Sequence, residues 1–374
     1  MYSQQEIDDA VASGVISAEA ADALRGHVQR QRSTVIADEE QFRLITGFND
    51  IFVSIAAAIL LFAVGWIGQW VGQVTGLYIS DNGDNGPSFL APLAVCSTAW
   101  ALALFFTARR RMALPSILLL LAFVGGALAT AAFLLVQIIG PDHFNDQDQL
   151  LAATIGGVSA AIAAVGAWLH WCRFHVPITV AAGAAAVAGI FLAIVVAIVQ
   201  PGDSQAARDL ILGFVLLLGI GGFLFAMWWD ASDRVRITRR SDVAFWLHLL
   251  AAPMIAHPIF TLLGLSSGSV STGEGLLVVG LYVLFGITAL AVDRRALLVS
   301  ALAYVLYALT ELFKQFGAGE LNVALTALII GSALLLLSAY WHQARRVIVT
   351  RLPSNLQERL PALDRPAQVT QQAA

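Results

Sequence analysis

The sequence predicts an all-α integral membrane protein with about ten transmembrane helices, both termini inside the cell and a small N-terminal helical hairpin. Three observations support this fold class. Hydrophobic residues make up 58% of the chain and charged residues only 12%, about half the charged share of a soluble domain. Long apolar runs recur along the chain, and arginine clusters occupy alternate loops between them. We therefore expect most of the polypeptide to lie in a lipid bilayer.

The first apolar run, Ile51–Val71, carries no charged side chain and is long enough to cross a bilayer, since a spanning helix needs about 20 apolar residues. Asn49 and Asp50 are predicted to cap the N-terminus of its helix. Trp66 and Trp70 are predicted to lie in the opposite headgroup layer. Because the N-terminus lacks the pattern of a cleaved signal peptide, we expect this span to be a signal anchor.

Nine further apolar runs follow, each bounded by polar or charged loops. The eighth and ninth runs are joined only by residues 293–295, a turn short enough to require that its arginines snorkel towards water. The nine predicted spans are Phe89–Thr107, Leu114–Ile139, Leu150–Leu169, Ile178–Val199, Leu210–Trp229, Val243–Leu263, Gly275–Val292, Ala296–Phe313 and Leu321–Trp341.

The basic residues of the loops predict the orientation. With the N-terminus inside, the inner loops hold ten arginines, whereas Arg208 and Lys314 are the basic residues of the outer loops. This distribution obeys the positive-inside rule, and an error of one span would place several arginine clusters outside.

Lys314 is also the only lysine among 21 basic residues, a bias typical of a bacterium with a GC-rich genome. We therefore predict a multi-pass protein of the bacterial cytoplasmic (inner) membrane. An inner aromatic belt is expected at Trp171, Trp228, Trp229, Trp246 and Trp341.

Residues 1–48 are predicted to form a cytosolic helical hairpin and a juxtamembrane helix. Ser3–Glu6 fits a capping box, Gly14 a C-cap and Ser17 the N-cap of the second helix. The apolar area is too small for independent stability, so we expect the hairpin to dock on the membrane domain, on a second copy in a homo-oligomer or on a cytosolic protein partner. Residues 38–50 either lie on the membrane surface or continue the first span.

The rest of the chain divides into a ten-helix transmembrane domain, residues 49–342, and a basic, partly disordered cytosolic tail, residues 343–374. Ser354–Gln357 is expected to form one or two helical turns, ended by Pro361. From Ala362 onward few apolar residues remain to pack, so this end is predicted to be disordered.

Small residues mark the predicted contacts between spans. Lipid supplies no hydrophobic drive for helix pairing, so small residues that allow close approach are favoured at the interfaces. We interpret three groups as packing seams, with a homodimer face as the alternative. The groups are Gly68 with Gly72, Ala181–Gly189, and Gly219 with Gly221 and Gly222.

A polar stripe on the ninth span is the best candidate for a polar cavity or a substrate-binding site. Ser300, Tyr304, Tyr307 and Glu311 recur at spacings of four, three and four residues, which places them on one helix face. Glu311 lies about 23 Å along the helix from its start, near the outer headgroups. Two interpretations remain open: an interfacial ion pair with Lys314, or an outward-opening cavity whose acid binds a cation or proton.

The seventh span contains His248, Pro253, His257 and Pro258. Proline removes an intrahelical hydrogen bond, and broken helices line binding sites in transporters, so His257 is included among the candidate cavity residues. A kinked packing helix is the alternative. The two histidines are nine residues apart and point to opposite faces of a regular helix, which prevents them from sharing a metal ion.

Signals of catalysis are missing from the sequence. There is no phosphate-binding glycine loop, no His-Glu-x-x-His pair, no nucleophile elbow and no pair of intramembrane carboxylates. Cys96 and Cys172 are interpreted as small apolar fillers that give no disulfide or zinc spacing, and Gln137 and His170 receive no role. We therefore predict that the protein is not an enzyme, carries no cofactor or metal and binds no nucleic acid.

The segments AVASGVISAEAADAL (residues 10–24) and FRLITGFNDIFV (residues 42–53) resemble a bacterial family of multi-pass predicted membrane proteins with a domain of unknown function. The hairpin also resembles short helical oligomerisation modules of other bacterial membrane proteins. The family implies no activity and no site residues. We expect a non-catalytic role in membrane organisation or signalling through the hairpin. The alternative is a small-solute or lipid-linked transporter of two inverted five-helix halves, although residues 51–199 and 210–341 contain no clear repeat.

Overall fold

Helices account for most of the polypeptide that the structure describes. The computed structural model describes residues 11–23, 48–81, 84–140, 143, 149–202, 204–234, 236, 238–264, 271–315 and 321–363. The chain forms two compact units, Met1–Ile45 with Arg365–Ala374, and Thr46–Asp364.

The first unit is described over residues 11–23. Gly14 has a φ of 73°, the left-handed conformation of a helix C-cap, and its N–H donates to the carbonyl of Val11. Ser17 Oγ accepts a hydrogen bond from the Ala20 N–H at 3.1 Å, and residues 18–23 are helical. The caps predicted at Gly14 and Ser17 are thus present, whereas the predicted capping box at Ser3–Glu6 lies outside the described residues.

Ten apolar helices, numbered α1 to α10 in chain order, dominate the second unit. Each corresponds to one predicted apolar run, and the ends differ by at most five residues. Their bounds are α1 Phe48–Thr75, α2 Leu90–Phe106, α3 Ala113–Ile139, α4 Gln149–Phe174, α5 Ile178–Val199, α6 Gln205–Ser232, α7 Arg239–Leu262, α8 Thr272–Val292, α9 Ala296–Gln315 and α10 Asn322–Ala339.

Nine helices of the described part are long and apolar enough to cross a membrane, and α2, with 17 residues, is slightly shorter. Large apolar side chains face outward along them, including Phe62 at 71% exposure and Leu335 at 73%. Such exposure would be costly in water and is expected in lipid. Trp66 and Trp70 are also exposed near the far end of α1, and their position in a headgroup layer stays a prediction. The chain is therefore an all-α, multi-pass membrane protein.

Helices that are adjacent in sequence form most of the packing. The pairs α2–α3, α4–α5, α6–α7 and α8–α9 make extensive contacts, and α1 packs on both α2 and α3. Helix α7 packs on α5 and on α9, and these contacts join the pairs to one another. The largest apolar core lies where α7, α8 and α9 meet, around Phe260, Val278 and Val305.

The predicted small-residue seams pack helices of one chain together. A Cβ added to Gly219 would lie 2.8 Å from the Met254 carbonyl of α7, and one added to Gly68 would lie 2.6 Å from the Leu90 carbonyl of α2. A Cβ added to Gly189 would lie 3.4 Å from the Ala160 Cβ of α4, an ordinary van der Waals contact. Gly221 is different, because no atom lies within 4 Å of the position of its Cβ.

Two further helices and one short β-pair complete the described part of this unit. Strands β1 (Ser80–Asp81) and β2 (Asp84–Asn85) pair antiparallel between α1 and α2. After α10 the chain forms α11 (Trp341–Val349), which the sequence did not predict, and α12 (Ser354–Gln357). Val349 and Leu360 are buried against Val292 at the end of α8, so residues 341–363 dock on the bundle.

Three sequence-based expectations were wrong in detail. Asn49 and Asp50 are helical residues of α1, which begins at Phe48 within the described residues, so they do not precede the helix as caps. Trp341 is 4% exposed and therefore does not join a lipid-facing belt. His170, which the predicted span Leu150–Leu169 left in the following inner loop, lies within α4 and is fully buried, with its Nδ1 3.2 Å from Thr179 Oγ1.

Candidate functional site

The structure brings together two of the five sequence-predicted cavity residues. His257 Nδ1 in α7 lies 2.6 Å from the Tyr304 hydroxyl in α9, and the Tyr304 ring stacks on Phe260 with centroids 4.3 Å apart. His248 instead points to the buried side of α7, where it is 2% exposed. The prediction that the two histidines face opposite ways is therefore confirmed.

The remaining stripe residues lie at or near the surface of α9. Glu311 Oε1 accepts from Lys314 Nζ at 2.6 Å, with 21% and 52% of the two side chains exposed, which corresponds to the ion-pair interpretation. Tyr307 is 36% exposed, and Ser300 is half-buried. These residues share a face with Tyr304 by helical spacing.

A more tightly organised polar site lies at one end of the bundle, around Asp230. This carboxylate is fully buried in the last turn of α6. Arg294 donates to both of its oxygens, from Nη2 to Oδ1 at 2.7 Å and from Nε to Oδ2 at 3.3 Å. His248 Nε2 lies 3.0 Å from Oδ2. Three segments of the chain, the end of α6, α7 and the α8–α9 turn, therefore converge on one carboxylate.

The tight turn between α8 and α9 positions the arginine. Asp293 adopts a left-handed conformation with a φ of 60°, which Asp tolerates better than most residues. The Arg294 N–H then donates to the Ala289 carbonyl at 2.9 Å. Its guanidinium also donates to the Ser241 carbonyl at 3.0 Å and lies 5.8 Å from the centre of the Phe245 ring. Arg294 is thus directed into the bundle and is only 4% exposed.

A second carboxylate, Asp293, extends the site towards residues 341–363, called the C-terminal segment below. Arg236 Nη1 donates to its Oδ2 at 2.8 Å, and the Trp341 indole N–H donates to its Oδ1 at 2.7 Å. Arg345 Nε lies 3.8 Å from Oδ1. Arg236 Nε is also 3.9 Å from Asp230, so Arg236 lies between the two acids. The name arginine–aspartate cluster is used below for Asp230, Arg236, His248, Asp293, Arg294, Trp341 and Arg345.

The cluster continues into the backbone of residues 357–362. Arg345 donates from Nη2 to the Pro361 carbonyl at 2.6 Å and from Nη1 to the Ala362 carbonyl at 3.2 Å. Arg234 donates to the carbonyls of Leu360 and Gln357 at 3.0 and 3.1 Å. The Ala362 N–H donates to the Arg234 carbonyl at 3.1 Å. A continuous polar path therefore runs from α6 and α7 to the C-terminal segment.

The electrostatics of the cluster make its parts interdependent. Removing one partner of a buried ion pair leaves an unpaired charge in a medium of low dielectric constant. Three guanidinium groups share two carboxylates here, so the cluster carries an excess of positive charge with His248 counted as neutral. In the part of the chain that the structure describes, no three His, Cys, Asp or Glu residues converge as metal ligands.

Sequence reasoning missed Asp230 because it follows Trp229 at the end of a predicted span, where an acid is ordinary. The available signal was its position in the last turn of apolar α6, directly before an arginine-rich loop. Its true partner, Arg294, is 64 residues away, and periodicity does not identify a contact at that distance. Comparison with protein-family models, with curated proteins and with solved structures finds no match. The family resemblance of the N-terminal segments therefore stays a prediction.

Proposed function

We propose that this chain is a non-catalytic protein of the bacterial cytoplasmic membrane that couples its membrane helices to its cytosolic segments, in membrane organisation or signalling. The proposal takes α1 to α10 as ten spans with both termini in the cytosol. The observation that carries it is the arginine–aspartate cluster, because this cluster links α6, α7 and the α8–α9 turn to residues 357–362 by buried hydrogen bonds.

The positions of the ends of α6 to α10 support the proposed topology. The α6–α7 loop, the α8–α9 turn and the segment after α10 all meet in the cluster. Helices α6 to α10 therefore run alternately towards and away from the same end, as five successive crossings require. This end also holds many of the basic residues that the positive-inside rule places in the cytosol.

The topology is tested by reporter fusions along the chain. Fusions after Arg111 and after Arg240 are expected to report the cytoplasm, and fusions near Asp84 and Asp146 the outside. A signal from the outside at Arg240 would contradict the proposed orientation and would leave the helix packing itself unaffected.

Coupling follows from the cost of separating the cluster's charges. A rearrangement of α6 against α7 would pull Asp230 away from Arg294 or His248, and a buried carboxylate that loses its partners is strongly destabilised. A rearrangement of the helices is therefore expected to move the C-terminal segment as well. Residues 1–48 would supply a second cytosolic contact, to another copy or to a protein partner. Val15, which is 76% exposed in the described part of this segment, is a suitable apolar contact residue.

Photocrosslinking in native membranes tests this role. A photoreactive amino acid placed at Val15 or at Leu356, which is 47% exposed, is expected to give an adduct of discrete mass with a second copy or with a partner. Asp230→Asn should reduce the adduct at Leu356, because Arg236 then loses one of its two acids and its link to Asp293, which binds Trp341, is disturbed. Arg240→Gln should leave the adduct unchanged. No adduct at either position, or an equal yield in Asp230→Asn, would contradict the proposal.

Transport of a small solute is the second candidate, favoured by the exposed hydrogen bond between His257 and Tyr304 and by Glu311 on the same face of α9. Helix packing gives it less support. Two inverted five-helix halves would require the contact between α1 and α3 to recur between α6 and α8. Among the described residues, α6 and α8 make no contact of similar extent. Substrate-dependent currents in proteoliposomes that disappear in Glu311→Gln or His257→Ala would favour transport over coupling.

A further inference from the structure

An apolar cavity of about 180 Å³ lies between α8, α9 and α10 near the end that carries the arginine–aspartate cluster. Leu298, Val299 and Leu302 of α9 form one wall, and Leu334 and Leu337 of α10 form the other. Leu302 lies seven residues, roughly 10 Å of helix, beyond the start of the wall at Arg295. The cavity therefore extends from the interfacial region into the depth of the hydrocarbon core.

The mouth of the cavity carries a positive charge held in a fixed position. The guanidinium carbon of Arg295 lies 4.8 Å from the centre of the Trp341 ring, within the range of a cation–π contact. The Trp341 indole is itself fixed by its hydrogen bond to Asp293 at 2.7 Å. The arginine is exposed, so its guanidinium is oriented by the indole while its donors remain accessible.

Arg295 differs in this respect from its neighbour Arg294. Arg294 is directed inward and is neutralised by Asp230, whereas no carboxylate in the described part of the chain pairs with Arg295. The cluster behind it already holds more guanidinium groups than carboxylates. The mouth of an apolar cavity therefore presents a positive potential that an anionic group would neutralise.

We propose that this cavity binds one anionic phospholipid, with the headgroup phosphate on Arg295 and an acyl chain between α9 and α10. Basic pockets between transmembrane helices at the cytoplasmic surface are suited to anionic headgroups, and Arg binds phosphate through two parallel hydrogen bonds. A helix, about 10 Å across, does not fit a cavity of this volume, whereas a segment of an acyl chain does, with the rest of the chain in the surrounding lipid. The leucine and valine side chains of α9 and α10 give that segment a largely apolar lining.

Native mass spectrometry of the purified full-length protein in detergent tests the site. Phosphatidylglycerol and phosphatidylethanolamine with identical acyl chains are titrated separately. The wild-type protein is expected to retain one phosphatidylglycerol with roughly fivefold preference, since one arginine near an anionic lipid contributes about that factor. Arg295→Gln should abolish the preference, and Arg295→Lys should keep part of it.

One control and one groove variant separate the headgroup from the chain. Arg240→Gln removes an exposed arginine that is not part of the cavity lining, so it should keep the preference. Val299→Trp, at a position 65% exposed, should fill the cavity and weaken retention of both lipids. Ser338→Trp serves the same purpose from α10 if Val299→Trp does not fold.

Several outcomes would overturn the proposal. Arg295→Gln with the wild-type preference would remove the headgroup site, and displacement of the lipid by soluble glycerol 3-phosphate would mean that the acyl groove contributes nothing. A loss of preference in Arg240→Gln as large as that in Arg295→Gln would show that the preference follows the charge of the protein rather than this site. A dimer that Val299→Trp abolishes, with lipid retention unchanged, would identify a second copy as the occupant.

Discussion

Arg294 Nη2 lies 2.7 Å from Asp230 Oδ1, although 64 residues and two complete helices separate the two side chains. Both are almost fully buried, at 4% and 0% exposure. The same guanidinium reaches the second carboxylate oxygen and the Ser241 carbonyl. This pair therefore fixes the ends of α6, α7 and α9 relative to one another, independently of the apolar contacts between them.

Arg294→Gln is expected to lower the free energy of unfolding by about 3–5 kcal/mol, because it leaves the buried Asp230 carboxylate without its nearest cation. Arg240→Gln, which removes an exposed arginine at the start of α7, should change it by no more than about 0.5 kcal/mol. Thermal unfolding of the detergent-solubilised protein, followed by tryptophan fluorescence, measures both. Equal stability of the two variants would mean that the pair contributes nothing to the fold.

The double variant Asp230→Asn with Arg294→Gln adds a second check. It removes both charges, so the cost of an unpaired buried carboxylate disappears, and part of the lost stability should return. A double variant as unstable as the sum of the single variants would indicate that the two side chains act independently.

The helices could be predicted from the sequence because their cause is local. A run such as Ile178–Val199 is apolar throughout, and its predicted ends agree with those of α5. The helix end at Gly14 and the helix start at Ser17 could also be predicted. A left-handed glycine and a capping hydroxyl both bond to backbone groups within four residues along the chain.

The arginine–aspartate cluster could not be predicted because its causes are long-range. Whether Arg294 or Arg295 faces inward depends on the backbone conformation of the α8–α9 turn and on the position of Asp230 in α6, and the spacing of residues along α9 reports on neither. Trp341 was assigned to the lipid interface from its position after an apolar run, whereas its indole is buried against Asp293. Helical spacing predicts one face for Tyr304 and Glu311, but it did not identify His257 as the partner of Tyr304.

Gly219→Val is expected to destabilise the protein by about 1–3 kcal/mol, because a Cβ at this position would lie 2.8 Å from the Met254 carbonyl and would force α6 and α7 apart. Gly221→Val introduces the same residue two positions along the same helix, where nothing lies within 4 Å. Unfolding midpoints of the two variants make the comparison, and a Gly221→Val variant that is the less stable of the two would contradict this assignment of the α6–α7 seam.

Glu311→Gln should change stability by no more than about 1 kcal/mol, because Lys314, its partner, is 52% exposed and surface ion pairs contribute little. The variant can therefore report on function without unfolding the protein. Under the coupling proposal it leaves solute flux in proteoliposomes and the crosslinks at Leu356 unchanged. A melting temperature far below that of the wild type would show instead that Glu311 has a structural role in α9.

Leu360→Asp is expected to release the C-terminal segment from the bundle. Leu360 is 7% exposed and packs with Val292 and Val349, and a carboxylate among these side chains would have no partner within the apolar cluster. Leu356→Asp, at a position 47% exposed, places the same charge four residues earlier at little cost.

Limited proteolysis of inside-out membrane vesicles should cleave residues 350–363 faster in Leu360→Asp than in Leu356→Asp or the wild type. Intact right-side-out vesicles should protect all three proteins, because the segment faces the cytosol in the proposed topology. Cleavage at equal rates in the two variants would show that Leu360 does not anchor the segment, and cleavage in right-side-out vesicles would place the arginine–aspartate cluster on the opposite side of the membrane.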